Sequence, residues 1–106
     1  MSGQTRKVAI LPQTEKRMQT MGEQIRLARL RRKLSASLVA ERAGISRQTL
    51  WKVEKGDPGV AMGIYAKVLN GIGLGNDILL LAKDDELGHL LQDAELLNKG
   101  KRDEDV

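Results

Sequence analysis

One stretch of the sequence decides the fold: Ala36-Ser37-Leu38-Val39-Ala40-Glu41-Arg42-Ala43-Gly44-Ile45-Ser46-Arg47-Gln48-Thr49-Leu50-Trp51-Lys52-Val53-Glu54-Lys55. Two short helices cross steeply at a tight turn when a small residue lies at the crossing, glycine lies at the bend and the inner faces are apolar. Here Ala40 is the small residue and Gly44 is at the bend. The inner faces are supplied by Val39, Ile45, Leu50 and Val53.

Serines precede both helices of this pair. Ser35 is placed to cap a helix over about 36–43, and Ser46 to cap a helix over about 47–55, because a serine hydroxyl accepts a hydrogen bond from a free backbone N–H of the first turn. Gly44 then ends the first of them, since glycine adopts the left-handed backbone without steric cost. The spacing therefore predicts helix, turn and helix within twenty residues.

The rest of the chain reads as further short helices around this pair. Thr20 to Glu23 fits a capping box that starts a basic amphipathic helix over about 21–33. Downstream, apolar periodicity predicts a helix over about 60–70, and Asp84-Asp85-Glu86 favours another helix start followed by a charged tail from Asn98. Residues 77–82 fit either a short helix or a buried strand, and Val8 to Leu11 a short strand within a mobile arm.

These patterns predict an all-α fold. The expected organisation is a flexible N-terminal arm over 1–19, a five-helix domain over 20–82, and an acidic segment over 83–106 with one additional short helix. The composition agrees, because aromatic residues make up only 2% and there is no Phe, so the core is aliphatic. An aliphatic core suits packed helices better than sheets.

Charge is unevenly distributed along the chain. Residues 1–33 hold nine Lys and Arg against two acids, whereas residues 60–106 hold five against nine. A basic first half favours a polyanionic partner such as double-stranded DNA. No apolar run approaches the roughly 20 residues of a membrane span, and there is no Cys, so we expect a cytoplasmic protein with no membrane partner.

The second helix of the pair carries side chains suited to reading bases. With Leu50 pointing inward, Gln48 and Lys52 point roughly opposite and Arg47 lies on the flank at the N-terminal end. Arg binds guanine and Gln binds adenine in bidentate fashion, and Lys reaches guanine or phosphate. Hydroxyls and one further cation are candidates for phosphate or a thymine methyl: Ser35, Ser37, Ser46, Thr49 and Arg31.

This arrangement resembles the helix-turn-helix repressors of the Xre family, of the Cro/cI type. The resemblance covers about residues 22–82 and rests on Ser46-Arg47-Gln48-Thr49-Leu50, on Glu54-Lys55-Gly56 and on Tyr65-Ala66-Lys67-Val68-Leu69. It implies five helices with the third in the DNA major groove, and an ion pair between Arg29 and Glu54 that ties the first helix to the third.

Within that family the chain is most similar to HipB-type antitoxins, through the run from Val53 to Met62 and the Leu-rich acidic C-terminal part. The resemblance implies an operon autorepressor whose protein partner is a HipA-type kinase toxin. A symmetric homodimer is expected as well, because one recognition helix reads only a few base pairs. Its predicted contacts are Ile72, Leu74, Ile78, Leu79 and Leu81, and residues 83–106 are assigned to this dimer contact or to the protein partner.

Two other functions fit the sequence. One is a stand-alone phage-type or restriction-control repressor without a toxin, and the other is a protein-interaction adaptor, against which the basic residues 1–33 argue. An enzyme is not expected, because no Ser/His/Asp or Cys/His set exists and the single His89 assembles no imidazole cluster. We expect no cofactor and no metal. Trp51 is interpreted as packing on a flank of the domain, with contact to the DNA backbone as the alternative.

Overall fold

The computed structural model describes residues 7–104, with side chains through residue 95. Its elements are α1 (Pro12–Arg31), α2 (Ala36–Ala43), α3 (Arg47–Glu54), α4 (Met62–Gly71), a 3-10 helix (Gly75–Leu80) and α5 (Glu86–Glu104). The fold is all-α across these residues, as the sequence predicts. Helices α1 to α4 pack around one core, with α3 in contact with α1, α2 and α4.

The first helix starts nine residues earlier than predicted. Pro12 opens α1, and proline suits a first helical position because its fixed φ is already helical and its missing N–H would have no partner there. Thr20 lies inside α1, so the predicted capping box is wrong. The strand predicted over 8–11 is also wrong, because residues 7–11 form no regular element. Residues 12–19 of the predicted arm belong to α1, so the predicted arm over 1–19 is wrong for this part, and residues 1–6 lie outside the described residues.

The core is aliphatic apart from one tyrosine. Val39, Leu50, Val53 and Val68 are its most completely buried large side chains. Ile72 is also in it, at 2% exposure, so the predicted contact of Ile72 with a second copy is wrong. The remaining core residues are Ile25, Ala28, Ala40, Ala43, Val60 and Tyr65.

A hydrogen-bonded loop joins α3 to α4. The Tyr65 hydroxyl donates to the backbone oxygen of Asp57 at 2.8 Å, and the Asp57 carboxylate accepts from the Gly59 N–H at 2.7 Å. Burial raises the pKa of Tyr65 to about 12, with a smaller contribution from the negative charge of Asp57. The loop is thereby held against the core at the end of α3.

Of the two alternatives for residues 77–82, the structure has the short helix and not the strand. The segment forms the 3-10 helix, none of whose residues is buried. Leu81 after it has an extended backbone, and Ala82 a left-handed one at φ 60°, before α5 begins.

Helix α5 begins where the sequence predicts and extends further. Asp85 accepts a hydrogen bond from the Gly88 N–H at 3.1 Å, which caps the first turn. The predicted tail from Asn98 is helical through Glu104, so this helix has 19 residues and is not short. Asp105 and Val106 lie outside the described residues. On the described part of α5, Leu87, Leu90 and Leu91 are all exposed.

Candidate nucleic-acid interface

The α2–turn–α3 unit is built as its sequence predicts. The Ser35 hydroxyl accepts from the Leu38 N–H at 3.1 Å, and the Ser46 hydroxyl accepts from the Thr49 N–H at 3.0 Å. Gly44 adopts φ 67° between them, and the Ile45 N–H reaches back to the Ala40 oxygen at 3.0 Å. Both caps and the turn are therefore encoded locally.

The inner face of this unit is buried and its outer face is polar. Val39, Ala40, Leu50 and Val53 are in the core, and Ile45 packs against it. Arg47 and Gln48 are exposed at the start of α3, and Lys52 is half-buried one turn further on. The three predicted base-reading residues thus occupy the side of α3 that faces away from the core.

Thr49 is a correction to the predicted set. It is only 2% exposed, and its hydroxyl lies 2.9 Å from that of Ser46, so the predicted contact with phosphate or a thymine methyl is wrong. The physical reason is the helical register, because Thr49 lies next to Leu50 on the side that packs inward. Ser46 is half-buried, with its hydroxyl engaged in the cap.

The other predicted phosphate contacts divide between two places. Ser35 and Ser37 are exposed at the start of α2, close in sequence to the turn after α1. Arg31 is exposed as well, but it lines a groove between α1 and α4 and not the cleft that holds Arg47 and Gln48. The structure therefore does not bring Arg31 together with the base-reading candidates.

Trp51 does not pack into the domain. Its side chain is 60% exposed, with the Lys55 ammonium 5.4 Å from the centre of its ring, a distance at which a cation is attracted to the ring face. The preferred interpretation of Trp51 as a packing residue is therefore wrong. Arg47, Trp51 and Lys55 follow at i, i+4 and i+8, which places them on one side of the helix.

A cleft of about 590 Å³ lies between α1 and α3, and these side chains line it. Arg47, Gln48, Trp51 and Lys55 form its α3 wall, and Arg26 lies on the α1 wall. Sequence reasoning missed Arg26 and Lys55 as members of this surface. The i+8 spacing from Arg47 pointed to Lys55, whereas Arg26 requires knowledge of how α1 crosses α3.

Helix α3 is held at a fixed angle by the ion pair between Arg29 and Glu54, which is present as predicted. Nε and Nη2 of Arg29 donate to the two Glu54 carboxylate oxygens at 2.7 and 3.1 Å, and Nη1 donates to the Leu34 oxygen at 3.1 Å. Hydrogen bonding to Glu54 raises the pKa of Arg29 despite the opposing effect of burial. The bidentate geometry restrains both position and orientation.

A glycine contact brings α1 and the end of α3 together at the same place. A Cβ on Gly22 would lie 2.5 Å from the backbone nitrogen of Gly56 and 2.8 Å from the backbone oxygen of Glu54. Gly56 itself has φ +74°, and a Cβ there would overlap the backbone oxygen of Met18. The two backbones therefore touch directly, which only glycine at both positions permits.

Three of the four predicted dimer residues other than Ile72 line one groove of the domain. Leu74 and Ile78 are half-buried, and Leu79 and Leu81 are 70% and 60% exposed. Leu74, Ile78 and Leu81 line the groove between α1 and α4, so the structure brings these three together.

Neither a metal site nor a membrane span is found in the described part of the chain. No three His, Asp or Glu side chains lie close enough to hold a metal ion there. No described helix is both long and apolar enough to cross a bilayer.

Two capped helices around a glycine turn, with the second presenting Arg and Gln outward, define a helix-turn-helix DNA-binding protein. A family model described as a helix-turn-helix domain matches residues 20–80, well over half of the chain. The chain belongs to this family of DNA-binding regulators. No curated protein matches the sequence.

Proposed function

We propose that the protein is a sequence-specific transcriptional repressor that binds its operator as a homodimer, with α3 in the major groove. The observation that carries the proposal is the exposure of Arg47 and Gln48 at the start of α3, on a helix whose angle is restrained by the Arg29–Glu54 pair. A rigidly held helix that presents bidentate side chains at its N-terminal end is suited to reading bases.

Base contacts and phosphate contacts are assigned to different residues of the cleft. Arg47 and Gln48 read bases, with Lys52 as the third candidate. Lys55 is placed one turn beyond Trp51, where it supports binding to phosphate. A phosphate contact carries no sequence information, so the two groups differ in what their loss does to specificity.

The test uses duplexes selected from a random pool by the unaltered protein, compared with scrambled duplexes of the same composition. Arg47→Ala and Gln48→Ala should each lose about 5- to 150-fold in affinity for the selected duplex and much less for the scrambled one, since a bidentate base contact is worth about 1–3 kcal/mol. Lys55→Ala should weaken both duplexes similarly and reduce the salt slope by about one.

Lys67→Ala is the matched control, because Lys67 is exposed on α4 and lines neither groove. It removes one positive charge without touching the cleft. Equal losses on both duplexes for Arg47→Ala and Gln48→Ala would refute base reading by α3.

We propose further that the regulator is the antitoxin of a HipA-type operon. The support is the resemblance of the run from Val53 to Met62, and of the acidic Leu-rich C-terminal part, to HipB-type antitoxins of the Xre family. The proposal predicts that an adjacent gene encodes a kinase-like protein, and that co-expression with this product yields a complex that copurifies and binds the selected duplex more tightly than the regulator alone. A neighbouring product that fails to copurify would leave the stand-alone repressor as the function.

A further inference from the structure

The apolar groove between α1 and α4 has a volume of about 860 Å³. It lies on the side of α1 opposite to Leu30. Side chains of α1 and α4 line it, some of them core residues, together with Leu74, Ile78 and Leu81. This volume is in the range of built binding clefts. Its other apolar lining residues are Met18, Met21, Ile25, Ala28, Val60, Met62, Tyr65, Ala66 and Leu69.

Helix α5 carries a stripe of three exposed leucines in the described part of the chain. Leu87, Leu90 and Leu91 are 68%, 77% and 62% exposed and lie at the i, i+3, i+4 spacing of one helical face. Soluble proteins rarely leave a continuous apolar surface without a partner. The groove and the leucine stripe are thus two exposed apolar surfaces of the described residues.

Their surroundings carry opposite charge. The segment from Asp84 to Glu95 contains five acids and no Lys or Arg. On the α1 side, Arg31 lines the groove and Arg17 follows the same face of α1, at i−4 from the groove residue Met21, whereas Asp77 of the 3-10 helix adds a negative charge at another part of the lining. The acidic segment 84–95 is therefore attracted to the α1 side of the groove, whereas two copies of that segment side by side would bring ten acids together.

We infer that the α5 leucine stripe of a second copy docks in this groove, and that the exchange is reciprocal across a two-fold axis. This rests on the homodimer of the proposed function and specifies how it is built. The contact leaves the α3 face of each copy uncovered, because the cleft beside Arg47 is lined by none of the groove residues. Both recognition helices of such a dimer are then available to one operator.

Cysteine pairing tests the contact directly, because the chain has no natural Cys. Met62 lines the groove at 57% exposure, so Met62→Cys and Leu90→Cys each alter an exposed side chain. When the two single variants are mixed under mild oxidation, the expected main product is a disulfide between unlike chains. Mixing Leu90→Cys with Leu30→Cys is the control, since Leu30 faces away from the groove on α1, and that pair should give little product.

Three results would overturn the inference. A dominant Leu90–Leu90 disulfide in Leu90→Cys alone would place α5 against α5. An intrachain disulfide in a monomeric double variant would place α5 in the groove of its own chain. Absence of any disulfide above the Leu30 control would remove the contact altogether.

Mass measurements give a second, independent readout. The unaltered chain should scatter as a dimer of roughly twice 11.7 kDa, and Leu90→Glu or Met62→Glu should return it to the monomer mass, with Leu30→Glu as the control. A dimer that survives both substitutions contradicts the contact. Neither experiment contains DNA, so its failure is distinguishable from failure of base reading, which the duplex titrations measure.

Discussion

Leu50 in α3 and Leu90 in α5 are the same residue type, but the first is buried and the second is exposed to solvent. Leu50 is 1% exposed inside the four-helix core, and Leu90 is 77% exposed on a helix that follows the domain. Among the side chains that the structure describes, none of the core members around Leu50 belongs to α5. The comparison shows that α1 to α4 share one internal core, whereas the described leucines of α5 stay outside it.

The largest expected effect is the difference in the free energy of unfolding between alanine variants of these two leucines. Leu50→Ala should lower the free energy of unfolding by about 3–5 kcal/mol, because it removes buried methyl groups and leaves a cavity. Leu90→Ala should change it by less than about 0.5 kcal/mol when both are measured by urea unfolding at a dilution where the chain is monomeric. A large loss for Leu90→Ala in the monomer would mean that α5 belongs to the core of its own chain.

The junction of α1 with α3 should respond almost as strongly. Glu54→Ala leaves the buried guanidinium of Arg29 without its carboxylate and should cost roughly 3 kcal/mol. Glu23→Ala removes the exposed pair with Arg26, whose side chains are 46% and 53% exposed, and should cost no more than about 1 kcal/mol. Similar unfolding midpoints for the two variants in urea would contradict the importance assigned to the buried pair.

The glycine contact at this junction gives the next prediction. Gly56→Ala should cost about 2–3 kcal/mol, since the residue has φ +74° and the added methyl group meets the backbone of Met18. Gly63→Ala is its control, because a Cβ at Gly63 meets nothing within 4 Å, and it should be neutral or slightly stabilising. Thermal unfolding followed by circular dichroism compares them, and equal midpoints would argue against the close approach of α1 and α3.

The smallest effect concerns the loop between α3 and α4 and its dependence on pH. Because folding raises the pKa of Tyr65 from its ordinary value of 10.0 to about 12, the stability it provides is complete below pH 10 and is lost as the pH rises towards 12. Tyr65→Phe should cost about 1 kcal/mol at neutral pH through the lost hydrogen bond to Asp57. Its urea midpoint should also fall less than that of the unaltered chain between pH 10 and pH 12, and parallel profiles would contradict this.

Local sequence was sufficient to predict the structure of the α2–turn–α3 unit. Ser35, Gly44 and Ser46 act through hydrogen bonds and backbone angles within four residues, so their consequences are visible without knowledge of the rest of the fold. The exposure of Arg47 and Gln48 follows in the same way, from helical periodicity around Leu50. The Arg29–Glu54 pair came from resemblance to a family, because nothing local connects two residues 25 positions apart.

The tertiary structure decided the features that depend on how one helix crosses another. Ile72 is buried in the core formed between helices, and Trp51 stays 60% exposed with the Lys55 ammonium over its ring, although sequence reasoning expected the reverse for both. The contact between Gly22 and Gly56 is likewise set by the approach of two backbones. The helix-turn-helix and its outward polar face were therefore determined by sequence alone, whereas the angle of α3 and the identity of the apolar groove depend on contacts between residues far apart in the chain.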